Sequence, residues 1–264
     1  MRILYVGDIM GAVGIEVAEK IISQLRTDKH IDVVIAQSEN VTSGKGISPE
    51  DFSRLRRSGI DFCTGGNWSL FNEAIIPLLA DPDQPIIRPA NYLAGTPGLG
   101  YKTITVKGEK VLVASLLGNI VGKDADKPMQ NPLTCIDEIL QKHPAKDYGA
   151  IIVNFHGDFS SQKVVVGHYL DSRVTAVVGD HWHVPTNDAR ILPGGSAHLS
   201  DVGMCGALDA SLGVKFDSVI PRWRDQRATR NILETEGQRQ FNAVLIDSTS
   251  ATQAQSVEQI RIIL

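Results

Sequence analysis

The sequence predicts a layered α/β domain, and three patterns indicate this class. Short continuous apolar runs alternate with helical periodicity along the first third of the chain, as in buried parallel strands joined by helices. A hairpin pattern and a strand-rich C-terminal part add antiparallel strands, so we expect a mixed sheet or two sheets. The 264 residues suit one continuous domain over 1–264. The proline- and glycine-rich segment 81–130 leaves open a small cap or insertion.

Apolar spacing and helix-start signals predict the individual elements. Ser48 suits a helix N-cap because Pro49 fits the first helical position and acidic residues follow in the first turn. Two strand-like stretches around Lys107-Gly108-Glu109 indicate a hairpin, either added to the sheet or part of a cap. In chain order, the expected elements are strand 2–7, helix 14–26, strand 32–37, a helix from Pro49, strand 60–64, a helix near 70–80, hairpin strands 101–106 and 110–116, helix 131–142, strand 149–154, and strands at 242–246 and 260–263.

Composition and charge exclude several classes of protein. The net charge of −4 and the pI of about 6.0 provide no broad basic field, which argues against duplex nucleic acid as a partner. No apolar segment has the length of a membrane span, and the N-terminal apolar run is too short for a signal peptide. Cys63, Cys135 and Cys205 are isolated, as in a reducing compartment. We expect a cytoplasmic protein without a membrane partner, and a homo-oligomer is compatible with these features.

Five of the apolar runs stop at residue types that bind metal ions. Chemistry gathers at the carboxyl ends of strands in open α/β folds, so these side chains are expected to converge. His181-x-His183 is the most specific pattern, because residues i and i+2 of an extended segment face the same side. Alone, Asp8 or Asn67 suits a turn, and the histidine pair suits packing, so the combination carries the prediction. The candidate ligands are Asp8, Glu39, Asn40, Asn67, His156, His181 and His183.

The donor chemistry of this set favours an open catalytic site over structural zinc. It combines carboxylate and amide oxygens with imidazoles and contains no thiolate, which suits Mn²⁺, Fe²⁺ or Zn²⁺. The set exceeds what one ion needs, so two ions sharing a bridging carboxylate fit better. Two ions roughly 3.5–4 Å apart activate a water and hold phosphoryl oxygens during in-line displacement. The residues therefore predict a phosphoester-directed site.

Short motifs along nearly the whole chain match a known family pattern. They are Gly7-Asp8, Glu39-Asn40, Gly66-Asn67, Arg88-Pro89-Ala90-Asn91-Tyr92, Gly95-Thr96-Pro97-Gly98, Phe155-His156, His181-x-His183, Arg190-Ile191-Leu192-Pro193-Gly194-Gly195 and Asp201-Val202-Gly203-Met204. This set resembles calcineurin-like metallophosphoesterases, and more closely the bacterial YmdB-like group, which hydrolyses cyclic nucleotides such as 2′,3′-cyclic AMP. The resemblance implies a four-layer α/β/β/α sandwich with mixed sheets and a dinuclear centre of iron or manganese, with zinc as the alternative.

The resemblance also assigns ligands and a reaction. It implies that a metal-bridging hydroxide attacks the phosphorus of a small phosphodiester, with Asn67 helping to stabilise the developing charge. By position, the first ion takes Asp8, Glu39, Asn40 and His183, and the second takes Glu39, Asn67, His156 and His181, with Glu39 as the bridge.

Trp68 departs from the family pattern at the position of its proton donor. The family has Gly-Asn-His where this chain has Gly66-Asn67-Trp68, and an indole N–H is no acid near neutral pH. The reaction is then slow, with water as the proton donor, or another acid assists it, and Asp158, His168 and His198 are candidates. Alternatively, Trp68 stacks a nucleobase, with Trp182 as a second aromatic wall, or it packs against the following helix.

Two rival functions follow from these departures. The first is a catalytically weakened or regulatory nucleotide-binding protein that keeps the metals, and the second is a phosphomonoesterase. Lys45 lies between two glycines and either touches a phosphate oxygen or is an exposed loop lysine. Arg222, Arg224 and Arg227 follow Pro221, and we expect them on a solvated surface or an interface without a ligand role.

Overall fold

The structure, a computed structural model, describes residues 1–122 and 125–264. Residues 123–124 of the predicted 81–130 segment lie outside the described residues. The strands are β1 Arg2–Val6, β2 Asp8–Ile9, β3 Val33–Gln37, β4 Phe62–Thr64, β5 Tyr101–Val106, β6 Glu109–Leu117, β7 Ala150–His156, β8 Ala176–Asp180, β9 Arg190–Ile191, β10 Ala197–Leu199, β11 Met204–Ala207, β12 Arg239–Ser250 and β13 Gln253–Ile263. The helices are α1 Gly11–Asp28, α2 Pro49–Arg57, α3 Ile76–Ala80, α4 Pro132–Lys142, α5 Ser160–Tyr169 and α6 Phe216–Arg224.

Two mixed sheets build the fold. The first has the order β2-β11-β12-β1-β3-β4, with β13 also paired to β12, and β1, β3 and β4 run parallel. The second has the order β5-β6-β7-β8-β10-β9, and its four central strands run parallel. Antiparallel β5 and β9 form its edges. The predicted hairpin is therefore β5–β6, and it extends this sheet.

Three apolar layers show how the sheets and helices stack. Alternate side chains of a strand face opposite sides of its sheet, and β1 illustrates this rule. Leu4 and Val6 pack toward α1 and α2, whereas Ile3 and Tyr5 pack toward the second sheet. On the far side of the second sheet, strand residues pack against α4 and α5. The order of layers is helix, sheet, sheet, helix, which is the predicted four-layer α/β/β/α sandwich.

The boundaries of the predicted helices are close to the expected ones except for the helix near 70–80, and α5 and α6 were not predicted. The Ser48 hydroxyl accepts a hydrogen bond from the Asp51 N–H at 3.1 Å, which confirms the N-cap of α2. The helix expected near 70–80 is shorter, because the chain first forms a 3₁₀ turn over Glu73–Ile75 and α3 begins only at Ile76. Helix α6 was not predicted, since it carries Pro221 inside it, where proline normally disfavours a helix. None of the helices in the described parts of the chain has the length and apolar character needed to cross a bilayer.

The three cysteine thiols are buried and give a direct test of the packing. Burial raises the pKa of Cys63 and Cys205 to about 12 and that of Cys135 to about 11. Because thiol reactivity follows the thiolate fraction, we expect Ellman's reagent to react at least ~100-fold more slowly with the folded protein than with the unfolded chain. The measurement compares rates in buffer and in guanidinium at pH 8. One equivalent of fast-reacting thiol in the folded protein would contradict the packing described.

Candidate metal centre

Parallel strands of both sheets end at one place, and the predicted ligands follow those ends. Asp8 opens β2 directly after β1, and His156 is the last residue of β7. The other candidates lie in the turns after β3, β4 and β8. The seven side chains thus come from both sheets and meet at the edge between them. Buried among them are Asp8, Glu39, Asn40, Asn67 and His156.

The first group of ligands surrounds the imidazole of His156. Its Nε2 atom lies 2.9 Å from Glu39 Oε1 and 3.0 Å from Asn67 Oδ1. The rings of His156 and His181 are 4.4 Å apart at their centroids. One ligand atom from each of Glu39, His156 and His181 can lie within 4.8 Å of the other two, which is the spacing of donors around a single cation.

Asp180 orients His156 from the other side. Its Oδ1 atom is 2.7 Å from His156 Nδ1, and its Oδ2 accepts hydrogen bonds from Tyr5 and Gln37, both at 3.0 Å. Burial alone would lower the pKa of His156, but the charges of Glu39 and Asp180 outweigh it and raise that pKa well above its usual value. A carboxylate behind a histidine fixes the tautomer that presents Nε2 to a metal. A metal ion bound at His156 Nε2 would replace the proton on that atom.

The second group consists of Asp8, Asn40 and His183. His183 Nε2 lies 3.3 Å from Asn40 Oδ1 and 3.7 Å from Asp8 Oδ1. Burial lowers the pKa of His183 to about 4, so its imidazole is neutral and can act as a ligand. Burial, reinforced by the charge of Asp180, raises the pKa of Asp8 well above its usual value.

One unsatisfied atom shows that this donor set suits a metal. Asp8 Oδ1 is buried and has no hydrogen-bond partner among the residues that the structure describes. A buried carboxylate oxygen without a partner is costly and calls for an explanation such as a bound ion. The candidate site thus combines this oxygen with the Glu39 carboxylate and three imidazoles. Such a mixed oxygen and nitrogen donor set suits divalent metal ions.

The loop carrying His181 and His183 has an unusual backbone. His181 has φ 107° and His183 has φ 63°, a region that side chains other than glycine rarely adopt. Hydrogen bonds hold the loop in this shape. The His181 N–H donates to Asp8 Oδ2 at 3.2 Å, and the Trp182 N–H donates to Asp201 Oδ2 at 2.8 Å. The structure thus places both imidazoles at the site through backbone contacts.

A buried lysine supports the same loop. Lys163 donates from Nζ to Asp201 Oδ2 at 2.9 Å and to the Asp180 carbonyl at 2.5 Å. Its ammonium also lies 4.1 Å from the ring centroid of Trp182. A buried charge persists only when it is paired and hydrogen-bonded, and here its partners flank the two histidines. The sequence analysis predicted neither helix α5 nor a role for this lysine.

Gly66 allows the site to close. A Cβ atom at this position would lie 2.5 Å from both Glu39 Oε2 and His156 Nε2. No side chain fits at that distance, so only glycine lets the turn after β4 approach the carboxylate and the imidazole. The turn then delivers Asn67 to His156 and the Trp68 backbone N–H to Glu39 Oε2 at 2.8 Å.

The Trp68 side chain is half-buried and has specific neighbours. Its ring lies 4.2 Å from the Lys45 ammonium and meets Phe71 edge-to-face at 5.4 Å. The ring lines the cavity in front of the candidate metal ligands. The Trp68 ring therefore packs against Phe71 and also remains accessible to a ligand in the cavity.

The three candidate replacement acids lie in different places. Asp158 lines the cavity, and its Oδ1 is 3.2 Å from His181 Nε2. His168 is exposed on α5 beside Arg190, at 3.2 Å. His198 is buried in β10 against the Val177 carbonyl. The structure brings only Asp158 of these three to the site.

The cavity in front of the ligands has a volume of about 490 Å³. Glu39, Asn40, His181 and His183 form its floor, and Arg222 and Trp223 from α6 form part of its wall. Arg222 is half-buried and lines this cavity, because α6 folds against the apolar cluster of Met10, Met204, Val214 and Val219. Arg224 is exposed and pairs with Asp225 at 2.7 Å, as expected.

Comparisons with known proteins agree with this arrangement. A family model described as YmdB-like protein matches residues 4–260. A 2′,3′-cyclic-nucleotide 2′-phosphodiesterase of Bacillus subtilis is 34% identical over 263 residues, which cover 99% of this chain and 97% of that protein. A hypothetical protein from Thermus thermophilus superposes with a TM-score of 0.90 at 30% identity, covering 100% of this chain and 99% of the other. A phosphatase from Mycoplasma pneumoniae gives 0.91 at 27% identity, with 100% and 93% covered.

Proposed function

Because the chain belongs to the YmdB-like family of calcineurin-like metallophosphoesterases, we propose that it is a metal-dependent phosphodiesterase with two divalent ions. The proposed substrate is a small phosphodiester, namely a cyclic nucleotide, since a relative that matches nearly the full chain carries that activity in its name. Iron or manganese suits the mixed oxygen and nitrogen donors best, and zinc is the alternative. We propose the whole chain as the working unit, because both sheets contribute ligands.

The observation that carries this proposal is the convergence of Glu39, His156 and His181 within 4.8 Å, beside the orphaned Asp8 Oδ1. We assign Glu39 as the shared ligand. Its Oε1 faces His156 at 2.9 Å, and its other oxygen accepts the Trp68 N–H, so the carboxylate is fixed in orientation. Asn67 and His181 then belong with His156, whereas Asn40 and His183 belong with Asp8.

The chemistry divides between the ions and the protein. When bound, two divalent ions supply an activated water and neutralise charge on the phosphoryl oxygens. The protein orients the ligands. Asp180 keeps His156 in one tautomer, and the carboxamide of Asn67 offers donors to a phosphoryl oxygen on which charge develops. Asp158, on the cavity wall, is the described acid nearest His181 and is our candidate for delivering a proton to the leaving oxygen.

Metal analysis combined with a substrate comparison tests the proposed function. We expect a folded preparation supplemented with Mn²⁺ to hold about two ions per chain and to hydrolyse 2′,3′-cyclic AMP. A bis-aryl phosphodiester and its monoester counterpart are assayed in parallel, and faster turnover of the monoester would favour a phosphomonoesterase. Absence of bound metal in the supplemented, folded protein would overturn the proposal.

A second candidate function is a nucleotide-binding protein that keeps the metals and turns substrate over slowly. The observation favouring it is Trp68, whose ring contacts Lys45 and Phe71 and carries no titratable acid. Equilibrium dialysis with 2′,3′-cyclic AMP, followed by chromatography of the recovered nucleotide, separates the two candidates. Tight binding with intact nucleotide recovered after several hours supports the binding protein, and conversion to nucleoside monophosphate supports the enzyme.

A further inference from the structure

A second cavity adjoins the candidate metal centre. It has a volume of about 620 Å³ and shares lining residues with the first cavity, among them Lys45, Arg222 and Asn231. The loop 42–45 and the segment around α6 form its walls. A ligand held at the metals therefore has room to continue past Lys45 and Arg222.

The charged residues that line this second cavity are all cations. Lys45, Arg222 and Arg230 face it, and its described lining contains no aspartate or glutamate. The carboxylates that line the first cavity, Glu39 and Asp158, both contact histidines of the candidate centre. In a chain with a net charge of −4, three cations around one cavity whose described lining holds no carboxylate form a local positive field.

Two of these cations are held in position before any ligand arrives. Arg222 Nη2 donates to the Thr229 carbonyl at 3.0 Å and to Asn231 Oδ1 at 2.7 Å. These bonds engage one end of a guanidinium that carries five N–H donors. The Lys45 ammonium lies over the Trp68 ring. Such preorganisation lowers the entropy lost on binding.

We propose that this cationic cavity is a subsite for a second phosphate group of the substrate. Arginine matches the geometry of phosphate oxygens, and lysine supplies a point charge. The inference rests on the proposed phosphodiesterase function, and it makes cyclic-phosphate nucleotides that carry another phosphate the preferred substrates. That group is either a 5′-phosphate on the same nucleoside or the internucleotide phosphate of a short oligonucleotide ending in a 2′,3′-cyclic phosphate.

Three substrates test the subsite in the metal-loaded protein. They are adenosine 2′,3′-cyclic phosphate, its 5′-phosphorylated form, and the dinucleotide ApA with a terminal 2′,3′-cyclic phosphate. We expect kcat/KM to be about tenfold higher for at least one doubly phosphorylated substrate than for the first, since hydrogen bonds to charged groups are individually strong. The substrate preferred among the two identifies the source of the second phosphate. Equal kcat/KM values for all three would overturn the subsite alone.

Matched variants assign the preference to the cavity. The measured quantity is the ratio of kcat/KM for a doubly phosphorylated substrate to kcat/KM for adenosine 2′,3′-cyclic phosphate. Arg222→Ala and Lys45→Ala should each bring this ratio toward one. Arg224→Ala is the control, because Arg224 lies on the same helix, pairs with Asp225 and does not line the cavity. If Arg224→Ala lowers the ratio as much as Arg222→Ala, the effect is general electrostatics and the subsite is disproved. Lys45 lies outside α6, so its variant remains informative if Arg222→Ala does not fold.

Binding without catalysis gives an independent readout. All three tryptophans of the chain, Trp68, Trp182 and Trp223, line the first cavity, so their fluorescence reports ligand entry. In the metal-loaded protein, we expect adenosine 3′,5′-bisphosphate, which has no phosphodiester bond to cleave, to bind about tenfold more tightly than adenosine 3′-phosphate. Arg222→Ala should remove this difference. If no cyclic nucleotide is hydrolysed, the proposed function fails, whereas this binding comparison still supports or overturns the subsite.

Discussion

Replacing Trp68 by histidine is expected to raise the turnover of 2′,3′-cyclic AMP by about 10²-fold or more, because general acid help contributes roughly 10²–10⁴-fold. Residue 68 is placed for this role. Its backbone N–H contacts Glu39 Oε2 at 2.8 Å, and its side chain lines the cavity. An imidazole there can give a proton to an alkoxide leaving group, whereas an indole cannot. The measurement is kcat at saturating substrate, with equal metal content verified in both proteins.

Trp68→Phe is the matched control for this prediction. It keeps an aromatic ring for Lys45 and Phe71 to contact but supplies no acid, so no gain in turnover is expected. An unchanged kcat in Trp68→His would show that the leaving group obtains its proton elsewhere, and Asp158 would then be the next residue to replace. An unchanged kcat together with tight binding of intact nucleotide would instead favour the binding protein over the enzyme.

Glu39→Gln is expected to remove bound metal and almost all activity while leaving the fold in place. The substitution preserves shape and the oxygen that accepts the Trp68 N–H, but it removes the negative charge that we assign to both ions. Losing a group that only orients a ligand costs about 10–100-fold in metal affinity or activity, and loss of a shared ligand should exceed that range. Metal content by mass spectrometry and kcat/KM with added Mn²⁺ measure the effect.

Glu73→Gln serves as the control for charge removal. Glu73 is exposed in the turn before α3, and it is not among the ligands, so metal content and activity should match those of the unaltered protein. Circular dichroism of Glu39→Gln checks that the sandwich is intact. Two ions per chain retained by a folded Glu39→Gln protein would contradict the shared-ligand assignment.

The fold and the convergence of the candidate ligands could be predicted from the sequence for a physical reason. Buried parallel strands must be continuously apolar, and polar side chains reappear where each strand leaves the sheet. Asp8, Glu39 and His156 lie at or just after the ends of strands, so their convergence can be predicted from the sequence alone. The chemistry of the donor types then indicates metal. The ligand roles themselves stay predictions that metal analysis tests.

The residues that form the cavity walls could not be predicted from the sequence, because their positions depend on tertiary packing. Pro221 disfavours a helix locally, yet α6 forms there and packs over the cluster containing Met10 and Val219. That packing turns Arg222 toward the cavity. Lys163 was equally hidden, since a lysine in a helical pattern is normally solvated, and only the fold shows it buried against Asp201.

The left-handed backbone of His181 and His183 has a consequence for how metal is acquired. Each such conformation costs about 1–3 kcal/mol and persists only where surrounding contacts enforce it, here through Asp8, Asp201 and Lys163. The backbone freedom of these two residues is thus lost when the chain folds, before an ion arrives. We therefore expect that binding a metal ion does not have to order this loop, and that metal affinity depends in part on Asp201 and Lys163, which are not candidate ligands.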